Sequence, residues 1–254
     1  MKTLKFDTVN ENSEIKYYFE NPESEFSIAL KSKFSLEKLV EDCKSSIEKV
    51  VVITKWVHNL WEHDGGNEPK KYDPIYIIEE AQKGKQFRCV EYSIVTSACL
   101  NSLGIKSRIV SLKTKDVQTR KFGAGHVAVE AFIKEQNKWL FIDPQFNFIA
   151  TKQDHQIFNC IEFQELLCNK NPKIITQSEI TYNLKEYYSW IYPYLFYFDI
   201  AFDNRQIEKK IKFDGKNRLM LVPLNAKFPT KFQINYNIDY CYYSNCIKDF
   251  YKLS

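Results

Sequence analysis

The sequence predicts an α+β fold in which a cysteine-bearing helix packs on an antiparallel sheet. Three observations predict it. Loop glycine Gly84 leads into the apolar stretch Cys89–Leu103, closed by Gly104, which reads as a core helix with its C-cap. Downstream, the runs 126–133 and 138–143 alternate with a period of two around the polar Lys134-Glu-Gln-Asn137, the pattern of a hairpin. From Ile207 the texture turns to β, with an Asp214-Gly215 turn signal between alternating runs.

Taken in order, Leu4–Phe6, Lys16–Phe19 and Phe26–Leu30 read as polar, strand-like segments. Leu36 to Trp61 reads as helix, with apolar positions at spacings of three and four and a break near Lys44-Ser45-Ser46. His63 to Pro69 is a loop, and Pro74 to Lys83 a short helix. Ser107 to Leu112 is a strand. Lys113 to Gly125 is a charged loop that enters beside His126 and is a candidate substrate lid. Asn183 to Asp199 is dense in aromatics and reads as a helix-turn packed on the core around Pro193, with a cleft wall as the alternative. The expected organisation is a core over residues 1–200, with its motifs in 45–150, and a β-rich C-terminal extension over 201–254.

Composition bounds the function. At 254 residues the chain buries a substantial core. Its net charge of +4 is mild and interspersed, which argues against nucleic acid as partner. No apolar run has membrane-spanning length, and the N-terminal residues lack the apolar stretch of a signal peptide. Seven irregularly spaced cysteines do not suggest a disulfide framework, and a reducing cytoplasm is the expected location.

The chemistry-bearing residues are Cys89, His126 and Asp143. A thiol at a helix start, an imidazole at a strand mouth and a carboxylate closing the next strand are the parts of a nucleophile system. Helix N-termini and a neighbouring imidazolium favour thiolates in general. The first backbone amides of such a helix can also donate to an oxyanion. The hairpin tests this pairing. With a loop of two or four residues, Ile133 pairs with Lys138 and Ala128 with Asp143, so His126 and Asp143 share a face. A loop of three would send Asp143 to the other.

A metal reading is weaker. His58 and His63, five apart, do not share a helix face. Cys89, His126 and Asp143 lack a fourth ligand, and Cys241 and Cys246 lack a partner pair. No cofactor is expected.

From Cys89 to Pro144 the chain resembles the transglutaminase-like superfamily. The resemblance rests on the Gly-led Cys helix, Gly104-Ile105-Lys-Ser-Arg108, His126-Val-Ala-Val-Glu130 and Trp139-Leu-Phe-Ile-Asp143-Pro144. The helix Val50 to Trp61 resembles the amphipathic helix that precedes the Cys helix in such domains, and the overall texture is most similar to bacterial members. The resemblance implies a papain-like core with Cys89 as nucleophile, His126 as acid/base and Asp143 as orienter. The side-chain oxyanion donor carries over least well, with Gln86 as its candidate. The expected activity is that of a thiol hydrolase or peptidase on a peptide or protein substrate. The alternatives are acyl transfer to an amine, as in a true transglutaminase, and a non-catalytic interaction module.

Overall fold

The computed structural model describes residues 2–152, 155–169 and 182–253. Its helices up to the cysteine are α1 (Glu25–Phe34), α2 (Leu36–Leu39), α3 (Ser46–His58), α4 (Pro74–Gln82) and α5 (Cys89–Ser102). Strands β1 (Ser107–Lys113), β2 (Gly125–Ile133), β3 (Lys138–Asp143) and β4 (Phe148–Ile149) follow. Then come α6 (Cys160–Cys168), α7 (Leu184–Ile191), β5 (Tyr197–Ala201), β6 (Arg218–Leu221), β7 (Lys231–Phe232), β8 (Tyr236–Asn237), β9 (Cys241–Ser244) and α8 (Ile247–Tyr251).

The capping chemistry explains the helix starts. Ser45 and Asp73 accept side-chain hydrogen bonds from the amides of Glu48 and Tyr76, so α3 and α4 begin where the sequence offers a cap. The expected break at Lys44–Ser46 is this cap. Phe26–Leu30, expected as strand-like, is helical instead. Ser24 caps α1 through the Ser27 amide, and Ser27 and Leu30 form its buried stripe at a spacing of three. The expected strands at Leu4–Phe6 and Lys16–Phe19 do not form; Asp7, just after the first, bridges Cys246, and Tyr18 bridges Asp203.

Seven strands form one sheet in the order β4-β3-β2-β1-β5-β6-β9. All neighbours are antiparallel except β6 and β9, where Arg218 pairs with Cys241 in a parallel register. Strands β6 and β9 therefore add to the same sheet, whose outer edge is mixed rather than antiparallel, while β7 and β8 pair separately. The Asp214-Gly215 turn forms, with φ of 48° and 70°, but closes a single Phe213–Lys216 bridge rather than a hairpin. Strand β5 begins within the end of the aromatic run, where the sequence predicts a helix-turn, and continues past it.

Both faces of the sheet are covered, which is why β3 is buried at nearly every position. On one face Val129, Ala131, Ile133, Leu140 and Ile142 pack with residues of α3, α4 and α5, including Val50, Ile77 and Val95. On the other, Val110, Ala128, Phe141 and Phe148 pack with Phe163 of α6, Tyr187 of α7 and Phe250 of α8. The alternation along β2 and β3 sends His126 and Asp143 to this second face. The Cys89 helix occupies the first. The three residues can meet only at the end of the strands, where the two layers join.

Candidate active site

Cys89 is the first residue of α5 and is half-buried. Its helix start is held by Glu91, whose carboxylate is fully buried and accepts from the Arg88 amide at 3.0 Å. Arg88 answers that charge, with Nη2 at 2.9 Å from Glu91 Oε1, and also bonds Glu68 and Tyr72. Ser93, one turn on and buried, sets the helix against the sheet. Its hydroxyl lies 3.0 Å from both the Cys89 and Val127 carbonyl oxygens, which ties the first turn of α5 to the residue that follows His126 on β2. Nothing in the sequence singles out Ser93, because one serine among the small residues of a core helix carries no pattern.

His126 enters from the second residue of β2. Its Nε2–H donates to Asp143 Oδ2 at 2.8 Å, and both residues are buried. With Nε2 taken, Nδ1 is the nitrogen available to the Cys89 thiol, with which the imidazole also interacts by hydrogen bond. Burial alone would pull the imidazole down. The Asp143 charge and hydrogen bond, together with Cys89, overcome it and hold the group up at about 10. The register that permits this is Ile133 opposite Lys138 and Val129 opposite Ile142, across a four-residue connection.

Asp143 Oδ2 has a second donor that the sequence reading missed: the Tyr187 hydroxyl at 3.0 Å. Asp143 Oδ1 is buried without a hydrogen-bond partner among the described residues. The aromatic segment does two things at once. Tyr187 and Ile191 pack α7 onto the core, while Trp190 and Tyr194 close over the imidazole at ring separations of 5.0 and 6.1 Å from His126. Phe146, in the turn that follows Asp143, stands 6.4 Å from the imidazole and 4.8 Å from Trp190.

Gln86, the candidate oxyanion donor, is exposed; its carbonyl accepts from Asn67 Nδ2 at 2.6 Å. His63 lies beside the start of the Cys89 helix. It bridges to Phe87, two residues before Cys89, and the Asp64 amide donates to the Phe87 carbonyl at 2.9 Å. Partial burial and the His126 charge pull its imidazole below the ordinary value. The loop after β1 is anchored at its base by Thr114 N–H to the Ala124 carbonyl at 2.9 Å and by buried Val117, while Phe122 is exposed near its end. Among the described residues no group of three or more His, Cys, Asp or Glu is arranged to hold a metal ion, and no helix is long and apolar enough to cross a membrane.

Arg108 and Glu130, both part of the motif pattern, face each other across β1 and β2. They form a fully buried pair at 2.7 Å. The guanidinium stacks 4.1 Å from the Trp139 ring centroid and donates to the Phe250 carbonyl at 2.6 Å. Glu130 also accepts from the Cys160 amide and the Tyr251 hydroxyl. Their partners belong to the second core and not to Cys89.

Residues 35–144 match the model of the transglutaminase-like superfamily. This segment is similar to the transglutaminase-like superfamily. It runs from the start of α2 to the proline after Asp143, within the α+β architecture described above. No curated protein matches the chain. Solved structures similar to part of the chain include a candidate cysteine protease from Cytophaga hutchinsonii, at 19% identity and a TM-score of 0.40, over 56% of this chain and 46% of that one. A TGase is 20% identical with a TM-score of 0.34, over 47% of this chain and 30% of its own. Red sea bream transglutaminase is 13% identical with a TM-score of 0.36, over 65% and 30%. The chain thus spans less than half the length of each of these proteins.

Proposed function

We propose that the protein is a thiol hydrolase that cleaves amide or peptide bonds in a peptide or protein substrate, with Cys89 as nucleophile, His126 as acid/base and Asp143 as orienter. The observation that carries this reading is the continuous contact from the α5 N-terminus through the imidazole to the buried carboxylate. Cys89 Sγ forms a bond to the substrate carbonyl carbon, and the carbonyl electrons move onto oxygen, facing the first amides of α5. The imidazolium gives its proton to the leaving nitrogen as the C–N bond breaks, which leaves a thioester and a free amine. Water then loses a proton to His126 and attacks the thioester carbon. The C–S bond breaks, the carboxylic acid departs and the thiolate is restored. Asp143 keeps the imidazole in the tautomer and orientation that both transfers need.

The test is the pH dependence of iodoacetamide alkylation at Cys89, followed by peptide mass spectrometry in the wild type and in His126→Ala. Fast reaction well below pH 8 that the substitution slows toward ordinary thiol behaviour supports the reading. A slow reaction that ignores the substitution overturns it in favour of a binding module. With the nucleophile established, incorporation of a fluorescent primary amine into casein distinguishes a transglutaminase from a hydrolase.

A further inference from the structure

Asp143 Oδ2 holds two donors, while its other oxygen holds none among the described residues. That imbalance has a chemical meaning. A carboxylate oxygen that shares its charge with a second hydrogen bond attracts an imidazolium less than one devoted to it alone. We propose that Tyr187 is a positioning residue that tempers the Asp143–His126 pair, drawing charge from the oxygen that binds the imidazole so that His126 can release its proton. The inference rests on the proposed Cys89 mechanism for its purpose, but not for its geometry.

Four features support the role. Tyr187 is 2% exposed, so its hydroxyl has no water to turn to, and the Asp143 oxygen at 3.0 Å is its partner. Burial first, and then the Asp143 charge, push its own ionisation far above the ordinary tyrosine value, so it remains a donor across the working pH range. Its ring is clamped by Phe146 at 5.0 Å and Phe148 at 4.7 Å, the residues of the turn and strand that directly follow Asp143. Hydroxyl and carboxylate are therefore set by one piece of backbone and one helix. Finally, an imidazolium stabilised by a buried carboxylate and a neighbouring thiolate is a reluctant acid, and a second donor on the carboxylate acts directly against that reluctance.

Tyr187→Phe keeps the ring and its packing and removes only the hydroxyl. The measurement is the NMR titration of the His126 Cε1–H resonance, assigned through His126→Ala, in a Cys89→Ser background where the thiolate makes no contribution. The expected result is an upward move of the midpoint by about half a pH unit or more, near threefold in proton affinity, in Tyr187→Phe. The same substitution should do nothing once Asp143→Asn has removed the charge it acts on. A midpoint that stays in place or falls, in a variant whose thermal melt shows it folded, overturns the proposal and leaves Tyr187 as packing. A shift present in the Asp143→Asn background overturns it too. Because this titration does not use Cys89, its outcome is separate from the alkylation test. Inert Cys89 would refute the hydrolase reading while leaving the Tyr187–His126 coupling to stand or fall by the titration.

Discussion

Ile133 sits opposite Lys138 across a four-residue connection, and that register is what brings His126 and Asp143 to one face of the sheet. The turn is made of a 3-10 segment over Lys134–Gln136 followed by Asn137 at φ 49°. An L residue other than Asn, Asp or Gly is strained there, at about 1–2 kcal/mol. Asn137→Val should therefore lower stability by about that amount, whereas Asn137→Gly should cost a few tenths of a kcal/mol. Urea denaturation of both variants checks this. Equal losses would mean that the left-handed turn is not what holds the register.

Arg108 and Glu130 belong to the motif pattern but not to the chemistry. Removing one partner from a fully buried pair strands the other charge, at about 3–5 kcal/mol. Arg108→Met should lose that much in urea denaturation, and Arg108→Met with Glu130→Gln should recover a large part of it. The single variant, at a temperature where it is folded, should still alkylate at Cys89 at a rate near that of the wild type. Loss of Cys89 reactivity in folded Arg108→Met would show that the pair reaches the site after all.

How much was legible follows from how each feature is written in the chain. Period-two alternation and a polar spacer are local patterns, so the two strands could be read from 126–143 alone, and the shared His126–Asp143 face followed from an even loop, which the register provides. A capped, apolar helix behind Gly84 is equally local. Tyr187 is different: it lies 44 residues after Asp143 in a run where aromatics crowd the sequence, and nothing local separates the one that bonds the carboxylate from its neighbours that pack. Helix α1 failed for a related reason. In 26–30 a short apolar spacing fits strand or helix, and the deciding cap, Ser24, precedes it. Parallel pairing of β6 with β9 depends on a return path of some twenty residues that no local pattern records.

The seven cysteines should separate cleanly in a labelling experiment. Burial pushes the Cys99 and Cys160 thiols far up, and burial with the Asp199 charge pushes Cys241 up to about 12. Cys246 is 2% exposed. In native protein at pH 7.5, iodoacetamide should mark Cys89 first and the half-buried Cys43 and Cys168 more slowly, leaving the other four untouched until denaturant is added. Early labelling of Cys99 or Cys160 would show that the core opens around α5 or α6.

Stability should depend on pH at both ends, with opposite signs. Asp199, buried between Lys113 and Arg218, would be raised by burial, but the two cations hold it below the usual carboxylate value. A depressed native value means that its contribution is fully present above the unfolded value of about 4 and is lost as pH falls through the native one. His126 is the converse. Raised to about 10, its contribution is fully present below the unfolded value of about 6.5 and is lost as pH climbs through about 10. Thermal melts of Asp199→Asn should thus lie well below wild type at pH 7, by about 3–5 kcal/mol because Lys113 is left buried and under-paired, and converge with it in acid. Melts of His126→Gln should lie below wild type at neutral pH and converge with it above pH 10. A His126→Gln deficit that widens with alkali would mean that the imidazole is held neutral, and the charge relation between His126 and Asp143 would have to be reversed.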